Sequence, residues 1–503
     1  MLRDARLRLP NATGLIRAGA LIAALALAAL SVAAMLRAGP WYDEFFTLHV
    51  TRAGQPFLAQ FTQHWLADNH PPLFYALARA TAWLGSEVEP RRLLNLAFLA
   101  LAVAGLYGMT RRLGDGPLVA ALTGLGLAGN IEIIDKAAEF RSTYLAMAAV
   151  ALAVAALAVL ARPHARPARP RRDFWLVTAA LVLALNVHFV TSVLVGAIAL
   201  AFALRLALAG DRAGTLRIIA ALAIAALPLL ATTAIQLSRI EANTRSFWIT
   251  GGLDAARWAI QGPVEMALAA NWPIAFLGIA GIALMAAEAW HQRQAAEPLG
   301  IVIALAGGCV LGCVVLVGLH LWRPLLIERY LLPIAMPINL ALALGAARAL
   351  RQLPGLAATA AAVAILLAAL LSLRMGFAEA TNRPSWHGTG RAIAAMVKAC
   401  PRTVVHANLS WNRPVMDMPP ADNAAVMPEA YRIVARQFGF ALEPSGSRRM
   451  AAHCPTVFWT EHVAALVPTA SDVAMQLRNE GFTPDKTRLL RIGRGWILVS
   501  IPR

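Results

Sequence analysis

The stretch Trp41-Tyr42-Asp43-Glu44, followed by Asp68-Asn69-His70-Pro71-Pro72-Leu73, decides how this chain reads. It comes just after a first apolar run, Ala18 to Leu36. Two adjacent carboxylates at the mouth of a membrane helix are costly, because the bilayer edge penalises unpaired charge. Chains retain such groups there for chemistry or transport. The two clusters lie between the first two apolar runs, which suggests an enzyme working at the membrane surface on a lipid that carries a phosphate-linked group.

Composition sets the class. Of 503 residues, 59% are hydrophobic and 14% are charged, where a soluble globular protein carries about 25% charged residues. Mean hydropathy is +0.61. The chain is therefore expected to be an integral membrane protein. Its net charge of +18 does not point to nucleic acid. The basic residues cluster between apolar runs, as the positive-inside rule requires, and no recognition motif accompanies them. The first apolar run follows Arg3, Arg6, Arg8 and Arg17. It is longer than a signal-peptide core and many further runs follow, so it reads as a retained span with its N-terminus in the cytoplasm.

A spanning helix needs about 20 mostly apolar residues, which gives about eleven spans before Leu373. They fall near 18–37, 91–110, 117–134, 141–161, 174–189, 191–208, 217–236, 264–288, 299–319, 331–348 and 356–373. The connections alternate in character. Arg111-Arg112, Arg162 to Arg172, Arg205 to Arg217 and Arg348 to Arg351 are basic and read as cytoplasmic. Segments 38–90, 131–141, 237–263 and 320–330 mix acids, aromatics, His and Arg, and read as external. An odd span count puts the C-terminus outside. The Pro/Arg run at 162–172 reads as a solvated linker without chemistry.

After Leu373 the apolar runs shorten, and residues 374–503 read as a small α/β domain outside the membrane. Helices are expected at Arg391 to Ala399, Glu429 to Phe438 and Ser471 to Glu480. Strands are expected at Thr403 to Ala407, Thr456 to Trp459 and Trp496 to Ser500. Cys400-Pro401 and Cys454-Pro455 each precede a strand. Neighbouring strands in an oxidising compartment would allow a disulfide between these thiols; two unrelated buried thiols are the equal alternative. Cys309 and Cys313 sit i,i+4 within one span and read as small packing residues.

Four further clusters fall on the same side as Asp43-Glu44. They are Asp68 and His70 in the first external loop; Lys136 with Glu139-Phe140-Arg141-Ser142-Thr143-Tyr144; His188; and Glu328-Arg329-Tyr330. Each has a plain alternative. An Arg at a span end is also a snorkelling anchor, a Tyr there also belongs to the aromatic belt, and His188 by itself reads as a satisfied polar residue. The functional reading rests on their co-occurrence. Within the first loop, Phe45, Phe46, Leu48, Val50, Phe57, Leu58, Phe61, Trp65 and Leu66 have helical apolar spacing suited to the headgroup plane.

This pattern resembles the GT-C superfamily of membrane glycosyltransferases, and within it the protein O-mannosyltransferases, the lipid A aminoarabinose transferases and the lipopolysaccharide galacturonosyl transferases. Asp43-Glu44 is similar to the superfamily's Asp-Glu pair after the first span. Asp68-Asn69-His70-Pro71-Pro72-Leu73 is similar to its Asp-x-His-Pro-Pro-Leu motif. Glu139 to Tyr144 resembles a Glu-Ala-Arg-x-Tyr segment, with Phe140 for Ala and one residue inserted before Tyr144. Glu328-Arg329-Tyr330 resembles a later Arg-Tyr stretch. The resemblance covers 1–373 and implies a GT-C transmembrane domain, with 374–503 as a separate extracytoplasmic domain. It further implies transfer of a sugar from a polyprenyl-phosphate donor to a glycan, lipid or protein acceptor, at the outer face of a bacterial inner membrane.

The chemistry of the residues agrees. Charge develops on phosphate as the glycosidic bond breaks, and Arg141 and Arg329 could neutralise it with paired N–H groups. The acceptor hydroxyl needs a base, and a partly shielded carboxylate suits that task. Asp43 is the candidate base, with Glu44 orienting the acceptor or a metal. Asp68, His70, Lys136, Tyr144, His188 and Tyr330 are candidates for donor and acceptor binding. A divalent metal is possible on the ligand types present, but no tight spacing marks its site. A lipid-linked-sugar transporter or flippase is the alternative of another class, and an oligosaccharide ligase or polymerase the alternative enzyme.

Overall fold

The computed structural model describes residues 12–502, except 69, 114–115, 162–169, 245–248, 293–296, 408–424, 462–468 and 494. Most of the Pro/Arg run at 162–172, and Asn69, therefore lie outside the described residues. The chain folds as two compact units. One comprises 1–33, 57–77 and 94–378; the other comprises 34–56, 78–93 and 379–503.

The first unit is helical because a bilayer offers no partners to backbone N–H and C=O groups, so a spanning segment must satisfy them internally. Among the described residues of the chain, nine helices are long and apolar enough to cross a membrane. They are Ala12–Arg37, Val88–Thr110, Ser142–Leu160, Phe189–Leu208, Arg212–Leu237, Trp272–Gln292, Glu297–Trp322, Glu328–Leu350 and Gly355–Asn382. The protein is a multi-pass membrane protein. The remaining two expected spans, 117–134 and 174–189, correspond to the shorter helices Gly116–Ala128 and Pro170–Leu185. The first of these stops early because Gly129-Asn130 ends it and a separate helix, Glu132–Ala137, follows. The expected span at 264–288 is two helices, Leu253–Ala269 and Trp272–Gln292.

Ser142–Leu160 and Glu328–Leu350 are the most enclosed of the nine. Small residues allow close approach where helices cross. A Cβ on Gly281 would fall 1.8 Å from the Gly345 carbonyl oxygen, and one on Gly345 would fall 2.1 Å from that of Gly278. Gly308 meets the Ile198 backbone in the same way. Cys309 and Cys313, on the same helix as Gly308, are free thiols.

The second unit contains a four-stranded sheet in the order β1-β2-β4-β3, where β1 is Val404–Ala407, β2 Thr456–Thr460, β3 Lys486–Ile492 and β4 Gly495–Ile501. β1 and β2 are parallel, with Val405 opposite Val457; the other pairings are antiparallel. Every residue of β2 is buried, because apolar side chains cover both faces of the sheet. Trp459 packs against Tyr431 and Trp386, at ring-centroid distances of 4.6 and 6.1 Å. On the opposite face Phe458 joins Val473, Leu477, Phe482 and Leu498. The helices Trp386–Ala399, Val426–Gln437 and Ala470–Asn479 supply Trp386, Tyr431, Val473 and Leu477. Cys400 and Cys454 are joined in a disulfide with Cα atoms 5.8 Å apart. β3 has no counterpart in the sequence reading. Lys486, Arg488 and Arg491 interrupt its apolar pattern, as suits an edge strand that must not pair with another chain.

Candidate active site

Both units carry chemistry-bearing side chains. In the first unit, a π-helical turn, Gln60–Trp65, leads to Asp68 and His70. Pro71-Pro72 then halts the chain, and a new helix, Leu73–Ala80, begins immediately after them. The Gln236 side-chain amide fixes this bend by donating to the carbonyl oxygens of Trp65, Asp68 and His70, each at 3.1 Å. Asp68 accepts from the Tyr75 hydroxyl, and its Oδ2 lies 3.1 Å from His70 Nδ1. Burial pushes the Asp68 carboxyl up. The His70 charge, the hydrogen bonds from His70 and Tyr75, and the Arg141 charge outweigh it and hold the pKa down at about 2. Asp68 is thus an anion at any working pH, and it orients His70.

His70, His188 and Tyr330 converge. The ring centroids of His188 and Tyr330 are 4.4 Å apart, and that of His70 lies 5.0 and 6.2 Å from them. The Arg329 guanidinium carbon stands 5.4 Å from the Tyr330 ring centroid. His188 Nδ1 accepts from the Val190 backbone N–H at 3.3 Å, where His188 caps the helix Phe189–Leu208. The neutral ring then carries its proton on Nε2. That atom is buried and has no hydrogen-bond partner among the described residues. Arg141, Arg329, His70 and Asp68 all act electrostatically on this ring. The arrangement is rich in donors and suited to an anion.

Two expected members of this group stand elsewhere in the unit. Lys136 is enclosed by Asp135 at 2.7 Å, Glu139 at 3.1 Å and Glu132 at 3.3 Å. Burial lowers its pKa, but the charges of Glu139, Asp135 and Glu132 raise it by more, so it remains an ammonium ion. Its charge is spent on those acids. Tyr144 is buried among apolar side chains and lines an apolar cavity with Met147 and Met336.

In the second unit, Asp43 and Glu44 occupy the first turn of the helix Tyr42–Val50, where the positive end of the helix favours carboxylates. Asp43 is half-buried, whereas Glu44 is fully enclosed. Glu44 receives two charged N–H bonds from Arg92, at 2.7 and 2.8 Å, and a third from Arg383 at 3.2 Å. The backbone N–H of Trp41 also donates to it, at 3.3 Å. The remaining N–H groups of Arg92 reach the carbonyl oxygens of Met35, at 3.0 Å, and of Ala38. With both oxygens bound and no exposed surface, Glu44 fixes the turn that carries Asp43. Nearby, Glu429 binds both His49 and Arg52.

Arg92, Arg383 and Gln236 were missed by sequence reading. For Arg92 a signal existed: an arginine pair, Arg91-Arg92, at the end of a loop read as external runs against the positive-inside tendency. No comparable signal marks Gln236 or Arg383. Among the described residues, no group of three or more His, Cys, Asp or Glu side chains is arranged to hold a metal ion, so no step is derived through one.

No protein-family model and no curated protein matches the chain. Solved structures do. The apo crystal structure of ArnT from Cupriavidus metallidurans superposes with a TM-score of 0.56 at 12% identity, covering 96% of this chain and 98% of that one. ArnT bound to undecaprenyl phosphate gives a TM-score of 0.55 with the same identity and coverage. An oligosaccharyltransferase from Archaeoglobus fulgidus, in complex with Zn and sulfate, gives 0.49 at 14% identity, over 88% of this chain and 67% of that one. Agreement with ArnT over nearly the whole of both chains establishes the architecture: the chain has the GT-C fold.

Proposed function

We propose that this protein is a glycosyltransferase of a bacterial inner membrane. It would transfer a sugar from a polyprenyl-phosphate carrier to an acceptor outside the cytoplasm, a surface glycan, a lipid or a protein. The observation that carries the reading is the convergence of His188, His70 and Tyr330 beside Arg329, within electrostatic reach of Arg141, with the His188 Nε2–H unspent. A phosphate leaving group matches that donor set in charge and in hydrogen bonding. The likeness to an ArnT structure that holds undecaprenyl phosphate supports the same choice. The disulfide supports an oxidising, extracytoplasmic side for the segment after 374, and the loop 38–90 belongs to that side in this reading.

In this mechanism the acceptor oxygen attacks the anomeric carbon from the face opposite the phosphate. The bond from that carbon to the phosphate oxygen breaks, and its electron pair leaves with the phosphate, so the centre inverts. The acceptor's proton passes to the Asp43 carboxylate. Arg141 and Arg329 take up the growing phosphate charge, and His188 Nε2–H adds one donor. Asp68 keeps His70 oriented, and Glu44 holds the turn of Asp43.

The test is to incubate purified protein with a polyprenyl-phosphate sugar labelled in both parts, with and without EDTA. Free polyprenyl phosphate together with a labelled acceptor supports transfer. Donor recovered intact after crossing a vesicle membrane overturns the proposal in favour of transport.

A further inference from the structure

The helices Ala12–Arg37, Val88–Thr110, Gly116–Ala128 and Ser142–Leu160 line an apolar cavity of about 580 Å³ within the first unit. It is made by small residues: a Cβ on Gly124, which lines it, would meet nothing within 4 Å. Arg17, Tyr107 and Pro117 mark one end, while Ala128 and Tyr144 mark the other. The basic end is populated further. Arg111 stands over the Tyr107 ring at 5.9 Å, and both Arg17 and Arg111 are exposed. No carboxylate pairs with either arginine among the described residues.

From Pro117 to Ala128 the helix rises about 16 Å at 1.5 Å per residue. That matches one leaflet, half of a hydrocarbon core about 30 Å thick. An apolar slot one leaflet deep, with two exposed arginines at its mouth that no described carboxylate pairs, has the shape and charge of a phospholipid site. We propose that it holds one anionic phospholipid, with one acyl chain in the cavity and the headgroup phosphate on Arg17 and Arg111. Basic pockets between membrane helices on the positively charged face select anionic headgroups in this way. Tyr107 lies between headgroup and chain, where an amphipathic ring is favoured. The site is distinct from the polar cluster described above, since its lining includes none of Asp68, His70, His188, Arg329 and Tyr330.

Native mass spectrometry of the full chain in detergent tests this, with phosphatidylglycerol and phosphatidylcholine of identical acyl chains as probes. One retained phosphatidylglycerol is expected, with phosphatidylcholine held several-fold more weakly. Arg17→Gln with Arg111→Gln should bring the first down to the level of the second, since each arginine near a headgroup is worth about five-fold. Gly124→Leu, which grows into the cavity, should lower retention of both, and the exposed arginine variants keep the test open should that variant fold poorly. Equal retention of the two lipids by the unsubstituted protein would overturn the proposal, as would phosphatidylglycerol binding unchanged by all three substitutions. Displacement of the bound lipid by polyprenyl phosphate would also overturn it, because the cavity would then belong to the sugar carrier.

Discussion

The Glu44 knot and the His188 cluster are both buried polar groups in one membrane protein, yet they are built to opposite specifications. The Glu44 carboxylate is fully met: it takes N–H groups from Arg92, Arg383 and Trp41, and Arg92 donates further to the carbonyl oxygens of Met35 and Ala38. The His188 ring is met on one side only, since Nδ1 accepts from the Val190 N–H while Nε2 is buried and unmatched among the described residues. An unpaired buried donor costs roughly 1–3 kcal/mol, and a fold keeps such a cost where a ligand removes it. On the function proposed above, the contrast separates a polar group that holds the chain from one that meets a substrate.

The largest effect is expected at Asp43, next to Glu44 in the chain and half-buried. Asp43→Asn should lower turnover by a factor of about 100 to 10,000, the usual worth of a general base. Donor affinity and thermal stability should scarcely change. Turnover near that of the unsubstituted protein would remove Asp43 from the mechanism.

Next comes the knot itself. Removing one partner of a buried ion pair strands the other and costs about 3–5 kcal/mol. Arg92→Met should therefore lower the melting temperature in detergent markedly, whereas Arg92→Met with Glu44→Leu should recover much of the loss. If the single variant melts like the original protein, the pair is not holding the turn.

Glu461 sharpens the comparison within the second unit. It is as buried as Glu44 but is met by neutral donors, Thr389 Oγ1 and Trp459 Nε1, the latter at 2.9 Å. Burial raises its pKa to about 7, and those two hydrogen bonds only partly offset the rise. The folded state thus holds a proton that the unfolded chain, with a carboxyl near pH 4.5, releases earlier. Stability from this group is full below pH 4.5 and falls as pH rises to 7, by on the order of 3 kcal/mol. Glu461→Gln should abolish that slope in pH-dependent denaturation; an unchanged slope would assign it to another group.

The smallest effect expected is at the arginines of the open cluster. Arg329→Ala and Arg141→Ala should each weaken donor use by about 1.5–3 kcal/mol, the worth of a charged hydrogen bond. Lys should rescue in part, because it lacks the planar fork. Donor kinetics unchanged in both Ala variants would make these residues interfacial anchors.

Much of this protein follows from local sequence pattern. Runs of about 20 apolar residues are forced into helices by the bilayer, so the multi-pass architecture was legible. The alternation around Val404, Val457 and Leu498 likewise gave three of the four strands. The His70, His188, Arg329 and Tyr330 neighbourhood was suggested only by shared sidedness; their ring contacts are tertiary. Which polar residues are enclosed is settled through space. Asp43 and Glu44 are neighbours of like charge in the sequence, and nothing local tells them apart. An arginine 48 residues further on does, by closing on Glu44 and leaving Asp43 half-buried. Lys136 and Tyr144 show the same limit: their chemistry is local, but three carboxylates enclose the first and an apolar cavity takes the second. Hydrogen-bond and ion-pair accounts close through space between residues far apart in the chain, and a linear pattern does not carry that information.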